Sequence, residues 1–282
     1  MSGIVWLASY PKSGNTWFRA FLTNLQSKGE GPADINELNH TIFSSRFVFD
    51  SALGWESSDL PADAINRLRP RVQEILAEGE NVFFKAHEAF VHPVTREPLF
   101  SLKATRAAVY IIRNPLDVAV SFSAHIGKDI DTAITRMNAR STHLATGGGA
   151  LHMQLSQPLG DWSGHVRSWV DAPGLIVHTV RYEDMMDLPH EAFSGACRFL
   201  GLPDDPVRVA RALEHSSFKE MQLQEKAKGF REVSLSESQF FRRGRAGSWR
   251  EVLSPAQVAE IVDSHGEIMR RFGYLRPDGS CT

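Results

Sequence analysis

The chain has 282 residues, with 31 Lys plus Arg against 33 Asp plus Glu and a formal net charge of -2. Its 42% hydrophobic and 10% aromatic content excludes collagen-like, low-complexity and disordered classes. The near-neutral balance supplies no global field for nucleic acid or an anionic membrane, so any anion binding is local. The length suits one large domain or two small ones. No repeat or linker divides it, and a single domain over residues 1–282 is expected. Two cysteines, Cys197 and Cys281, are too few for a disulfide framework or a zinc site of several thiolates. There is no run of about 18 apolar residues and no basic-then-apolar N-terminus. A cytoplasmic protein without membrane insertion is the expectation.

The first apolar run, Ile4 to Ala8, leads into Ser9-Tyr10-Pro11-Lys12-Ser13-Gly14, after which Trp17, Phe21 and Leu25 recur every fourth residue. That pattern predicts a strand, a tight loop and an amphipathic helix. Val82 to Lys85, Ala107 to Ile112 and Leu175 to Val180 read as further buried strands with helical patterns around them. The alternation predicts an α/β fold with a parallel central sheet flanked by helices. After the Ala107–Ile112 strand, Asn114 is placed as a helix N-cap with Pro115 at the first helical position. Asp117 falls in the first turn, where a carboxylate suits the helix dipole. Residues 127–160, containing Gly147-Gly148-Gly149, and 219–241 lack clean periodicity and read as lid or substrate loops.

The loop before the first helix has the makings of an anion site. A helix N-terminus presents unpaired N–H groups and a positive dipole end. Gly14 allows close backbone approach, Lys12 brings a point charge, and Ser13 and Thr16 bring hydroxyls. The competing reading is a tight strand–helix turn and nothing more. It is not a Walker A loop, because there the lysine follows the glycine, whereas Lys12 precedes Gly14. Arg113 at a strand end and Ser121 two turns into the next helix make a second anion-facing pair, where open α/β sheets bind ligands. Two such loops suit two phosphates, or two ends of one nucleotide. Residues 242–250 then carry Arg242, Arg243, Arg245 and Arg250 with Gly244 and Gly247 and no acid, either a solvated basic surface or a third anion contact.

Together these three segments resemble the cytosolic sulfotransferase family in a bacterial-like form, and the matches keep chain order from residue 4 to about 250. Tyr10 to Trp17 is similar to the family's YPKSGTTW loop, with Asn15 as the departure. Arg113 to Ser121 resembles its 3′-phosphate element. Arg242 to Trp249 resembles its RKG-x-x-G-D-W element, with Arg243 for lysine and Ser248 for aspartate. The resemblance implies a P-loop-like site for 3′-phosphoadenosine 5′-phosphosulfate. Its contacts would be Lys12, Ser13, Gly14, Asn15, Thr16, Trp17, Arg113, Ser121, Tyr182, Ser216, Phe218, Arg242, Arg243 and Gly244. Within that set Trp17, Tyr182, Ser216 and Phe218 would meet the adenine, although Trp17, spaced helically with Phe21, reads by itself as core. The family's K-x-H pair falls on Lys85 and His87, whose side chains share one strand face. His87 would be the general base, a role suited to an ordinary pKa near 6.5, and His92 is its nearby competitor. Glu183 and Asp184 are read as structural.

The implied reaction is sulfuryl transfer from that donor to a hydroxyl or amine of a small-molecule acceptor, with Lys12 and Lys85 balancing charge. No metal is expected, since a sulfuryl group carries less charge than a terminal phosphoryl and no acidic metal motif accompanies the loops. The alternatives are a P-loop kinase-like phosphotransferase, which would need Mg²⁺ and a nucleoside triphosphate, and a nucleotide-binding module without turnover. Phe43, Phe47, Phe49 and Trp55 serve either as walls of an acceptor pocket or as plain core. The family's dimer motif is not reproduced, because Arg250 is followed by Ser254, Pro255 and Ala259, so dimerisation by that route is not expected.

Overall fold

A computed structural model describes residues 3–39, 41–78, 82–145, 153–233, 239–242 and 244–282. In chain order the first elements are β1 (Ile4–Ser9), α1 (Asn15–Gln26), β2 (Thr41–Ile42), α2 (Arg46–Leu53), α3 (Ala62–Leu76) and β3 (Val82–Ala86). Then come β4 (Thr105–Ile112), α4 (Pro115–Ile126), α5 (Ile130–Asn138), β5 (His143–Leu144), β6 (Gln157–Pro158) and α6 (Trp162–Val170). The last are β7 (Val177–Arg181), α7 (Tyr182–Asp187), α8 (Pro189–Leu200), α9 (Pro206–His215), α10 (Phe218–Lys228), a 3₁₀ turn (Ser248–Glu251) and α11 (Pro255–Arg271). Five strands form one sheet in the order β2-β3-β1-β4-β7. β3 runs parallel to both β1 and β2, with Ile4 opposite Val82 and Ala8 opposite Ala86. This is the expected α/β architecture. β1 is buried at every position, as a strand covered on both faces must be, which is why its sequence is continuously apolar instead of alternating.

The residues group into two compact units. The first holds Met1–Tyr10, Thr41–Tyr110 and Arg136–Thr179, and the second Pro11–His40, Ile111–Thr135 and Val180–Thr282. The core of the first unit gathers on Trp6, whose ring meets Phe43 at 5.2 Å and Phe100 at 4.7 Å, both edge-on. Its indole N–H is satisfied by Thr105 Oγ1 at 2.9 Å. In the second unit Phe18 and Phe21 of α1 pack on Phe193 of α8 at 5.5 and 4.3 Å. A neighbouring cluster joins Ala20, Ile35, Met221, Phe230 and Phe241. Each such ring contributes roughly 1.5–3 kcal/mol by leaving water.

Several expectations need correction. The last strand is Val177–Arg181, shifted from the predicted Leu175–Val180. Of the segment 127–160, read as loop, Ile130–Asn138 is helix, and β5 and β6 pair with each other; Gly147-Gly148-Gly149 lies outside the described residues. Of 219–241, Phe218–Lys228 is helix, with only Met221 buried along it. A helix with so little apolar face leaves no periodic trace. Its start is nonetheless marked by Ser217-Phe218-Lys219-Glu220, where the Ser217 side chain accepts from the Glu220 N–H, an N-cap of the kind such a tetrapeptide favours. The four aromatics of residues 40–60 divide: Phe43 and Phe49 are core, while Phe47 and Trp55 are exposed. Ser254 and Pro255 begin α11 with a complete capping box. Among the described residues no helix is long and apolar enough to cross a membrane.

Candidate active site

In the second unit α1 is preceded by Gly14, which has a left-handed backbone (φ 101°) and, having no side chain, provides no side-chain cap for the first turn. The N–H groups of that turn therefore remain without a side-chain acceptor from the cap residue, and the dipole end is positive. Glycine is required here twice over. A Cβ at position 14 would meet Tyr182 Cδ2 at 2.6 Å, and the backbone angle itself disfavours any side chain. Lys12 also has a left-handed backbone (φ 65°). Its Nζ sits 4.1 Å from the centroid of Phe240. Trp17 stands edge-on to Tyr182 at 6.1 Å and to Phe193 at 5.4 Å.

Arg113, at the end of β4, is drawn into the same cluster. Its Nη1 donates to the Lys12 carbonyl at 3.0 Å and its Nη2 to the Arg245 carbonyl at 3.2 Å. Its guanidinium lies 4.3 Å over the Tyr182 ring. Burial pushes the Tyr182 phenol above its ordinary pKa, so Arg113 faces a neutral ring. The turn after Arg113 is fixed by Glu183, which accepts from the Asn114 N–H at 3.0 Å and the Tyr274 hydroxyl at 2.9 Å. Asn114 caps α4 as expected, accepting from the Leu116 N–H. Asp117 is therefore free of capping duty and does something the sequence did not announce. Its carboxylate accepts from the Gly247 N–H at 2.6 Å, the Ser248 hydroxyl at 2.9 Å and the Trp249 N–H at 3.0 Å. From α10, Glu225 likewise accepts from the Phe240 and Phe241 N–H groups at 2.6 and 3.0 Å. Two buried or half-buried acids thus hold both ends of the arginine-rich segment.

In the first unit, β3 ends at Ala86 and His87 follows immediately. Lys85 is buried on the strand. His87 Nδ1 lies 2.8 Å from the Ser9 carbonyl, with Ser9 Oγ at 3.3 Å. A carbonyl only accepts, so a neutral ring must carry its proton on Nδ1 and its lone pair on Nε2. The His87 N–H donates to Glu88 Oε2 at 3.1 Å, and Glu88 Oε1 in turn accepts from Arg69 Nη1 at 2.8 Å in a fully buried pair. His92 is engaged elsewhere, its Nδ1 accepting from the Val94 and Thr95 N–H groups of a turn.

Comparison with known proteins gives these arrangements a family. The family model described as a sulfotransferase domain matches residues 3–273. The chain belongs to the sulfotransferase family. It is 28% identical to sulfotransferase 2A6 of Rattus norvegicus over 267 residues, which cover 91% of this chain and 81% of that one. It is 25% identical to cytosolic sulfotransferase 1 of Arabidopsis thaliana, across 90% and 75% of the two chains. Among solved structures, mouse sulfotransferase SULT7A1 complexed with PAP superposes with a TM-score of 0.60 at 20% identity, covering 95% of this chain and 85% of that one. Retinol dehydratase in complex with androsterone and inactive cofactor PAP gives 0.62 at 19% identity, over 98% and 83%.

The sulfotransferase assignment does not favour the kinase-like alternative. The fold brings Lys12, Gly14, Trp17, Arg113 and Tyr182 together in the second unit, while Lys85 and His87 belong to the first. Gly244 (φ 57°) lies against Phe218, whose ring a Cβ would meet at 2.4 Å. Ser216 is fully buried, its hydroxyl donating to the Ala212 carbonyl at 2.7 Å, which leaves it acceptor capacity only. Asn15 and Thr16 are buried in the first turn of α1, Ser121 is half-buried on α4, and Arg242 is exposed. Arg243 lies outside the described residues. Three buried donors of the cluster, Ser13 Oγ, Trp17 Nε1 and Arg113 Nε, have no hydrogen-bond partner among the described residues. Unpartnered buried donors cost roughly 1–3 kcal/mol each, so a ligand rich in acceptor oxygens fits this cluster. Asp117 and Glu225 were missed as organisers of it, whereas Glu183, read as structural, has that role. The one available signal was Asp117, an acid beside a helix cap already filled by Asn114. Among the described residues no group of three or more His, Cys, Asp or Glu is arranged to hold a metal ion.

Proposed function

We propose that this sulfotransferase uses His87 as general base to sulfate a hydroxyl or amine of a small-molecule acceptor. The donor is 3′-phosphoadenosine 5′-phosphosulfate, which when bound supplies a sulfuryl group joined to a phosphate leaving group. The observation that carries the reading is the His87 tautomer: with Nδ1–H committed to the Ser9 carbonyl, Nε2 is the basic atom. Nε2 takes the acceptor proton as the acceptor oxygen or nitrogen forms its bond to sulfur. Lys12 and Lys85 offset the negative charge of the transferring group and the departing phosphate. Ser13, Thr16 and the N-terminus of α1 bind the 5′ side, and Arg113 and Ser121 the 3′-phosphate. Trp17, Tyr182, Ser216 and Phe218 border the adenine, and Arg242 and Gly244 add the last phosphate contacts. Positioning and electrostatics supply most of the acceleration, as they do in phosphoryl transfer.

Two measurements test this. Adenosine 3′,5′-bisphosphate should raise the melting temperature strongly and ATP with Mg²⁺ should not, because selective binding to the folded state stabilises it. With labelled donor and a panel of phenols, alcohols and amines, His87→Ala should lower kcat by about 10²–10⁴-fold while leaving bisphosphate affinity intact. Full turnover by His87→Ala would refute the assignment of the base. An ATP-selective shift would refute the donor site.

A further inference from the structure

The peptide that carries His87 is gripped along one face of α6. His165, Ser168 and Trp169 stand at i, i+3 and i+4, so they share that face. His165 Nε2 lies 2.9 Å from the His87 carbonyl, and Trp169 Nε1 donates to the Glu88 carbonyl at 2.9 Å. Ser168 Oγ accepts from the Phe90 N–H at 3.0 Å and passes its own proton to the His165 carbonyl at 2.7 Å. Three side chains of one helix thus bind the backbone of residues 87, 88 and 90.

The proton directions within this set are fixed. The His87 carbonyl only accepts, so His165 Nε2 carries the hydrogen. Its Nδ1 then accepts from the Tyr110 hydroxyl at 2.8 Å. Tyr110 and His165 are both fully or almost fully buried. Burial drives the His165 pKa down to about 4 and the Tyr110 pKa well above 10, so both stay neutral across the working range. Tyr10 closes the other side of the imidazole edge-on at 5.3 Å. A neutral ring with one proton has two tautomers, and only the one with its hydrogen on Nε2, which leaves Nδ1 to accept from Tyr110, can hold the His87 carbonyl.

We propose that His165, oriented by Tyr110, is a positioning residue that fixes the His87 peptide and thereby aims His87 Nε2 at the acceptor. The inference rests on His87 being the base. It assigns to α6 a role distinct from packing: the helix sets the direction of a lone pair several bonds away through the main chain.

The test uses the full chain with labelled donor and its best acceptor. His165→Ala should lower kcat by about 10–100-fold, the scale of a misplaced reacting group. The acceptor KM and the affinity for adenosine 3′,5′-bisphosphate should stay within about threefold. His165→Gln, whose amide offers a donor toward His87 and an acceptor toward Tyr110, should recover most of the loss. Tyr110→Phe should give a smaller loss, because the His87 carbonyl still keeps the hydrogen on Nε2 while Nδ1 loses the donor that orients the ring. Wild-type kcat in His165→Ala would overturn the proposal. So would a loss of kcat, bisphosphate affinity and melting temperature together that His165→Gln does not repair, since that marks simple structural damage. Should His87→Ala keep full turnover, the base assignment fails first. If His87→Ala is inactive while His165→Ala is unimpaired, only the positioning role fails.

Discussion

Around His87 the main chain is held by protein groups. Its N–H goes to Glu88, its carbonyl to His165, its ring to Ser9, and Arg69 and Trp169 secure Glu88 in turn. The loop from Pro11 to Trp17 is built in the opposite sense. Lys12 and Gly14 both have left-handed backbones, α1 starts without a side-chain cap, and Ser13 and Trp17 keep buried donors without protein partners among the described residues. The base proposed at His87 must hold one direction before its substrate arrives, which such a complete set of protein contacts would provide. An anion cradle gains from leaving its donors to the ligand, because groups already satisfied by protein have less to offer a phosphate.

Four experiments would break or sharpen this contrast. The largest effect should come from Arg69→Met, which leaves Glu88 as an uncompensated buried charge and should cost about 3–5 kcal/mol in denaturant unfolding. Arg69→Met combined with Glu88→Leu should return most of that stability, and a harmless single variant would mean the frame around His87 is not under tension. Next is pH. The folded chain holds His165 neutral down to about 4, whereas the unfolded chain protonates it near 6.5. Its contribution is complete above about pH 6.5 and declines as pH falls toward 4, by about 3 kcal/mol in all. His165→Gln should flatten that limb of a stability–pH curve, and an unchanged slope would place the cause elsewhere. On the cradle side, Arg113→Ala should weaken adenosine 3′,5′-bisphosphate by about 10–100-fold and AMP far less, since charge-assisted hydrogen bonds are worth roughly 1.5–3 kcal/mol. Equal losses by calorimetry would remove Arg113 from the 3′-phosphate. The smallest effect belongs to Asp117→Asn, whose single carbonyl oxygen cannot serve all three donors from residues 247–249. It should cost about 1 kcal/mol, or about fivefold in bisphosphate affinity, with little change in melting temperature.

The same contrast governs what could be read in advance. The strands, the loop at Lys12 and the cap at Asn114 are local in sequence and declare themselves by apolar runs, Gly14 and Pro115. The place of the K-x-H pair at a strand end was also visible, and the role proposed for it rests on a resemblance carried by short contiguous motifs. The groups that hold these residues were not visible. Asp117 meets residues 247–249 across about 130 positions of chain, and His165 meets His87 across 78, distances that no periodicity encodes. α10 escaped for a different reason. Its Glu, Lys and Gln side chains favour helix by propensity, yet with one buried residue it has no stripe to betray the period. Trp17 was ambiguous and the ambiguity is physical, since its ring packs on Phe193 and on Tyr182 alike.

The backbone of Lys12 carries a consequence for engineering. A left-handed conformation costs a non-glycine residue about 1–2 kcal/mol, so Lys12→Gly removes strain at the moment it removes the ammonium. A library screened for heat resistance alone would therefore tend to enrich glycine at position 12 and discard with it the charge that the proposed mechanism assigns to Lys12, so that stability and the proposed activity pull one codon in opposite directions. Screens for robust variants of this enzyme should hold position 12 constant and search elsewhere.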